Sequence, residues 1–162
     1  MLFLFIKNTL NQTKRFALLG FVAASSLPAI ANAEECFFMQ DKATGHYLDG
    51  NNSSIYTQDF NNGMYQRWSL IHTGDGKSVF LVNKATGKAL DGNGKALYPH
   101  APNGGAYQKW ELVSSRDGGN LFYVRHQNSR KVLDSNHAYN AYLFDYNGGD
   151  FQIWRFHATG CN

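Results

Sequence analysis

Three aspartates, Asp49, Asp91 and Asp134, close the motifs LDG, LDG and LDS. Three asparagines, Asn61, Asn103 and Asn147, open the bends NNG, NGG and NGG. Tyr65, Tyr107 and Phe151 stand three residues before Trp68, Trp110 and Trp154, and Tyr56, Tyr98 and Tyr142 stand twelve before them. A carboxylate accepts charge-assisted hydrogen bonds from two adjacent hydroxyls, and these are stronger than neutral contacts. An amide adds a donor and an acceptor. A ring offers a face to C–H groups. Together these suit a molecule with hydroxyls on its edges and C–H groups on its face, such as a sugar. Each group also has an ordinary use. A hairpin aspartate satisfies turn N–H groups, asparagine tolerates positive φ, and a ring half-buries itself on a barrel surface. Recurrence favours ligand contact. In the second and third bends, moreover, two glycines already supply the conformational freedom that asparagine would bring.

A device used three times needs a scaffold that repeats three times. The stretches NNGMYQRW (61–68), NGGAYQKW (103–110) and NGGDFQIW (147–154) place Gln66, Gln108 and Gln152 at spacings of 42 and 44 residues. Upstream, DKATGHYLDG (41–50) matches NKATGKALDG (83–92) and, more loosely, HQNSRKVLDS (126–135). A repeat of this size is read before anything else, because it decides the fold. Each copy holds about four short strands. In the second these are VFLVN (79–83), KALDG (88–92), KALYPH (95–100) and QKWELV (108–113), rich in β-formers and bounded by glycine and asparagine turns. A propeller needs at least four blades. Three four-stranded units instead predict an all-β chain closed as a twelve-stranded pseudo-threefold β-trefoil, with repeats near 36–77, 78–119 and 120–162. On this reading Trp68, Trp110 and Trp154 anchor the core. Gln66, Gln108 and Gln152 are structural, pointing away from the barrel or bonding nearby backbone and the aspartate of their own repeat.

Residues 1–33 read as a secretory leader. Lys7, Lys14 and Arg15 precede the apolar run FALLGFVAA, and Ala31-Asn32-Ala33 offers a small-x-small cleavage site. A membrane anchor needs about 20 apolar residues, and polar ones interrupt this stretch. Cleavage after Ala33 leaves residues 34–162, a single domain that is secreted to the periplasm or outside the cell and has no membrane span. Its twelve basic residues match its twelve acidic ones. That balance gives no electrostatic reason to expect nucleic acid as a partner. Cys36 and Cys161 lie near the two ends and read as one disulfide.

Three Gln-x-Trp motifs in register, each with its Asp, Tyr and Asn, resemble the ricin B-type β-trefoil lectin family over all of residues 34–162. The fuller pattern, ATG-x-x-LDG followed by N-G-G-x-Y-Q-x-W, is most similar to the family's high-mannose-binding members. The resemblance implies glycan partners, mannose-type before galactose-type. It places Asp49, Asp91, Asp134 and Asn61, Asn103, Asn147 on hydroxyls. It also implies a contact ten residues before each Trp, where this chain has Gln58, His100 and Phe144. That position varies, so three equal pockets are not expected. The third copy departs further, with Phe151 for tyrosine and eight residues from Asp134 to Tyr142 against seven in the other two.

The sequence offers little for catalysis. Glycoside hydrolysis needs two carboxylates about 5–10 Å apart across one bond, and the repeated aspartates belong to three symmetry-related places. His46, His72, His100, His126, His137 and His157 lack metal-ligand spacing. No nucleophile motif or phosphate loop is present. The expectation is a lectin with neither cofactor nor metal. Two other readings stay open. One is the receptor-binding subunit of a secreted toxin complex, docking on a host cell-surface glycoprotein. The other is a trefoil inhibitor that binds protein.

Overall fold

The computed structural model describes residues 34–162. The secretory leader expected over residues 1–33 lies outside these residues. Twelve short strands follow one another in three groups of four. The first group is β1 (Glu35–Asp41), β2 (Tyr47–Gly50), β3 (Ile55–Gln58) and β4 (Arg67–His72). The second is β5 (Val79–Asn83), β6 (Ala89–Gly92), β7 (Leu97–His100) and β8 (Trp110–Ser114). The third is β9 (Leu121–His126), β10 (Val132–Ser135), β11 (Ala141–Phe144) and β12 (Ile153–Thr159).

Pairing closes six of these strands into a ring. β1 bonds β4, β4 bonds β5, β5 bonds β8, β8 bonds β9, β9 bonds β12, and β12 returns to β1. All these pairs are antiparallel. The remaining strands form three hairpins, β2–β3, β6–β7 and β10–β11. A six-stranded barrel with three capping hairpins is a β-trefoil. Closure removes the free edges that an open sheet would expose.

Each group contributes one tryptophan to the centre. Trp68, Trp110 and Trp154 are wholly buried among Met39, Leu48, Leu81, Leu90, Val124 and Leu133. Each indole Nε1 donates to a hairpin carbonyl, that of Leu48, Leu90 or Leu133, at 2.9–3.0 Å. The rings therefore tie every hairpin to the barrel while leaving no indole N–H unpaired. The two ends of the barrel chain meet in the β1–β12 pair, and Cys36 is bonded to Cys161 across it.

One local element differs from the sequence expectation. The sequence pattern predicts strand or bend for the four residues before each tryptophan. Instead Met64–Gln66, Ala106–Gln108 and Asp150–Gln152 each form a single 3-10 turn. The reason is the glutamine. A turn carries Gln66, Gln108 and Gln152 into the interior, where each is at most 1% exposed. The outward orientation weighed from sequence is thus corrected, and the bonding alternative is the one observed.

Candidate functional site

Each hairpin sets its aspartate directly opposite its tyrosine. Asp49 faces Tyr56, Asp91 faces Tyr98 and Asp134 faces Tyr142 in the cross-strand register. Opposite residues of an antiparallel pair share one face of the sheet. The extra residue of the third copy therefore lengthens the turn without breaking the pair. His100 and Phe144 end β7 and β11 on the exposed side, each in ring contact with the tyrosine two residues earlier. Gln58 occupies that place on β3.

The buried glutamine joins the hairpin to the bend. Gln108 Oε1 accepts the backbone N–H of Asn103 at 2.9 Å, and its Nε2 donates to the Ala101 carbonyl and to Asp91 Oδ2. Gln152 repeats this with Asn147, the Asp145 carbonyl and Asp134 Oδ2. Gln66 holds Asn61 and the Asp59 carbonyl in the same way. A primary amide has two donors and one acceptor oxygen, and in the second and third copies it spends them on loop and carboxylate together, whereas Gln66 spends them on the loop alone.

The bend has its own lock. Oδ1 of Asn61, Asn103 and Asn147 accepts the N–H of Gly63, Gly105 and Gly149, each at 2.7 Å. The positive φ falls on the middle residue, Asn62, Gly104 or Gly148. The third residue is glycine for want of room rather than for φ. A Cβ there would lie 2.7–2.9 Å from the asparagine Oδ1. Gly105→Ala is expected to break the Asn103 contact and to cost about 1 kcal/mol, the worth of one ordinary hydrogen bond. Chemical denaturation of the variant checks this. The lock occupies the asparagine oxygen and leaves the amide N–H groups of these exposed residues for other partners; in the second copy Asn103 Nδ2 lies 3.5 Å from His100 Nδ1.

Past the bend, Tyr65, Tyr107 and Phe151 stand on the 3-10 turns and are 37–48% exposed. The aspartates are the opposite case, at 1%, 3% and 4% exposed. They form the floor of each place, under rings and amides at its rim. Asp49 Oδ1 and Asp91 Oδ1 are buried without a hydrogen-bond partner among the described residues. Burial raises the carboxyl pKa of Asp49 and Asp134. Burial, then the neighbouring carboxylate, raises the phenols of Tyr56 and Tyr142. Tyr98 is likewise raised, first by burial. A buried carboxylate oxygen without a donor is a standing demand for one.

The sequence reading missed a second layer. Asn83 Nδ2 donates to the Tyr65 carbonyl at 2.7 Å, and His126 Nε2 lies 3.1 Å from the Tyr107 carbonyl. Each prop comes from the repeat that follows the ring it supports. The signal was visible in the aligned first letters of DKATG, NKATG and HQNSR, where the sequence has Asp41, Asn83 and His126.

Comparison with known proteins agrees with this architecture. Residues 29–102 match the family model described as ricin-type beta-trefoil lectin domain-like. No curated protein sequence matches the chain. Among solved structures, the designed threefold-symmetric protein ThreeFoil is 28% identical, with a TM-score of 0.67 over 75% of this chain and 96% of its own. The Rhizoctonia solani agglutinin is 23% identical, with a TM-score of 0.64 over 83% of this chain and 98% of its own. The ricin B-like lectin of Macrolepiota procera, solved with lactose, is 18% identical, with a TM-score of 0.65 over 75% and 93%.

Proposed function

We propose that this protein is a secreted, multivalent carbohydrate-binding protein that recognises glycans and performs no chemistry on them. One observation carries the reading. The same set of buried carboxylate, asparagine amide and exposed ring recurs three times, each bend held by a buried glutamine that in the second and third copies also bonds the aspartate. Core packing alone has no use for three exposed rings. The ricin-type match over residues 29–102 and the lactose complex of the structurally similar Macrolepiota procera lectin support sugar as the ligand class.

Asp49, Asp91 and Asp134 would accept from hydroxyls, and Asn61, Asn103 and Asn147 would donate to them. Tyr65, Tyr107 and Phe151 would lie against the C–H face. A shallow place of this kind holds one sugar at roughly mM, about −4 kcal/mol. Three on one rigid body can gain about 10²-fold or more on a clustered glycan. The likeness of the motif to that of the high-mannose lectin actinohivin favours mannose-type glycans.

The test is a glycan array with residues 34–162 beside the variant Tyr65→Ala, Tyr107→Ala, Phe151→Ala. These rings are exposed, so the fold should survive, whereas truncating the buried aspartates would confuse binding with stability. Affinity is expected to fall roughly tenfold per site, the equivalent of about 1.4 kcal/mol each. An array that stays empty with folded protein would overturn the reading. So would a variant that binds as tightly as the parent.

A further inference from the structure

Asp41, Asn83 and His126 occupy one structural position. Each stands opposite the tryptophan of the preceding repeat, Asp41 across from Trp154, Asn83 from Trp68 and His126 from Trp110. The next residue in each case donates its N–H across the barrel, to the carbonyl of Ile153, Arg67 or Lys109. One atom of each side chain caps the turn that follows. Asp41 Oδ1 accepts from the N–H and hydroxyl of Thr44 at 2.8 and 2.9 Å. Asn83 Oδ1 accepts from Ala85 and Thr86, and His126 Nδ1 accepts from the Ser129 N–H.

The other atom is where the repeats part. In Asn83 it is an N–H donor holding the Tyr65 carbonyl, and in His126 it is the Nε2 facing the Tyr107 carbonyl. With Nδ1 accepting, His126 must carry its proton on Nε2. Burial lowers its pKa and keeps it in that neutral form. In Asp41 the corresponding atom is Oδ2, which is buried and without a partner among the described residues. An ionised carboxylate has no donor for a carbonyl.

We propose that Asp41 is the positioning residue of the third site, and that it props the Phe151 carbonyl only when its Oδ2 carries a proton. Protonation turns the orphaned acceptor into the O–H donor that the other two repeats supply by residue type. Desolvation acts in the same direction, pushing the Asp41 carboxyl up to about 6 against its hydrogen bonds from Thr44 and the weaker pull of the neighbouring Ser135 hydroxyl and Ala43 N–H. Ser135 Oγ, like Oδ2, has no hydrogen-bond partner among the described residues. The titratable and charged groups on the elements around Asp41 are Arg155 and His157 on β12, Tyr47 and Asp49 on β2, Arg67 and His72 on β4, Asp134 and Tyr142 on the β10–β11 hairpin, and Asp150 beside Phe151. Lys42 and His46 belong to its own turn. The Lys42 ammonium is engaged by Asp117 and Asp150, and none of these groups donates to Oδ2.

The sign follows from linkage. A carboxyl whose folded pKa exceeds its unfolded value binds its proton more tightly in the native state. Its contribution is complete below about pH 4, near the unfolded value. It is lost as pH rises through about 6. The rim of the third site should therefore tighten in mild acid while the first two stay constant. That functional consequence rests on the sugar-binding reading, whereas the clasp itself does not.

The experiment has two arms. In the first, the Asp41 side-chain carboxyl is followed by carbon-detected NMR from pH 3.5 to 8, and melting is recorded for the wild type and Asp41→Asn. The expected midpoint is near 6. The expected melting temperature of Asp41→Asn at pH 7 matches the wild type near pH 5, with the fall between pH 4.5 and 7 reduced. Asn83→Asp should impose a similar fall through the first site, whose Tyr65 carbonyl Asn83 holds, which keeps the test decisive if Asp41→Asn fails to fold. A midpoint near 4, or an unchanged pH slope in Asp41→Asn or Asn83→Asp, would overturn the proposal. The second arm measures sugar binding of the third site alone, in the Tyr65→Ala, Tyr107→Ala background, at pH 5 and 7. Severalfold tighter binding at pH 5, abolished by Asp41→Asn, ties the clasp to the site. Equal binding at both pH values, with the first arm positive, overturns the positioning role and leaves only the proton-dependent clasp. Absence of any sugar binding would sink the lectin reading instead.

Discussion

A variant carrying Cys36→Ser and Cys161→Ser is expected to unfold with about 4–5 kcal/mol less free energy than the oxidised protein. For a domain of this size that corresponds to a melting temperature lower by roughly 15 °C. The argument concerns the unfolded chain more than the folded one. The bridge spans 125 residues of separation, so it closes nearly the whole domain into one loop. Loop-closure entropy grows with the logarithm of that length, so this position is close to the most effective one a single bridge can take. In the folded state the bridge adds little new. β1 and β12 already pair over six registered residues, from Cys36 opposite Thr159 to Asp41 opposite Trp154. The serine variant should therefore keep the barrel, its tryptophan environment and its ligand binding at 25 °C. Urea denaturation of the oxidised protein and the variant checks the size of the loss. A loss under 1 kcal/mol would sink the entropic account and assign closure to the strand pairing alone. Structural bridges of this kind persist in oxidising compartments, which agrees with the proposed export.

The parts of this fold that were legible are those carried by local pattern. VFLVN at 79–83 is strand β5 residue for residue, and the short LDG segments are the inner strands of the hairpins. The recurrence of Gln-x-Trp gave three equivalent units, and counting units excluded a propeller. The interior role of the tryptophans followed from size and recurrence. What stayed hidden was non-local. Nothing within the stretch AYQKW indicates that Gln108 turns inward, because its partners Ala101 and Asp91 lie seven and seventeen residues away. Without that contact the same letters read as the start of a strand. The depth of the aspartates was also hidden. LDG marks a hairpin, but whether its carboxylate lies at the rim or the floor depends on the loop folded above it. The props from Asn83 and His126 cross from one repeat to the next over 18 and 19 residues. Aligned repeats reveal that these positions correspond, and only the fold reveals what they touch.

Gln108→Ala is expected to remove both the second site and about 3 kcal/mol of stability. Tyr107→Ala, one residue away, should remove the same site at almost no cost in stability. The contrast follows from where each side chain spends its atoms. Tyr107 is 48% exposed, and its carbonyl, which truncation of the ring leaves intact, is what the His126 prop holds. Surface truncations of that kind stay within about 0.5 kcal/mol. Gln108 is 1% exposed and makes three hydrogen bonds, to the Asn103 N–H, the Ala101 carbonyl and Asp91 Oδ2. Each partner left unsatisfied in a buried setting costs about 1–3 kcal/mol. The loop atoms can recover part of that by shifting toward water, which keeps the sum near the lower end. The shift is itself what ends binding, since Asn103 then leaves the place that its N–H bond to Gln108 fixes relative to Asp91. Asp91 cannot follow, because β6 is fixed to β7 on one side and its hairpin to Trp110 through the Leu90 carbonyl. Denaturation and single-site sugar titration, measured on both variants in the Tyr65→Ala, Phe151→Ala background, separate the two effects. If Gln108→Ala keeps full stability, the glutamine is not the latch between hairpin and bend. If it loses stability yet binds normally, the bend holds its shape through the Asn103–Gly105 contact alone, and the carboxylate, amide and ring are positioned without it.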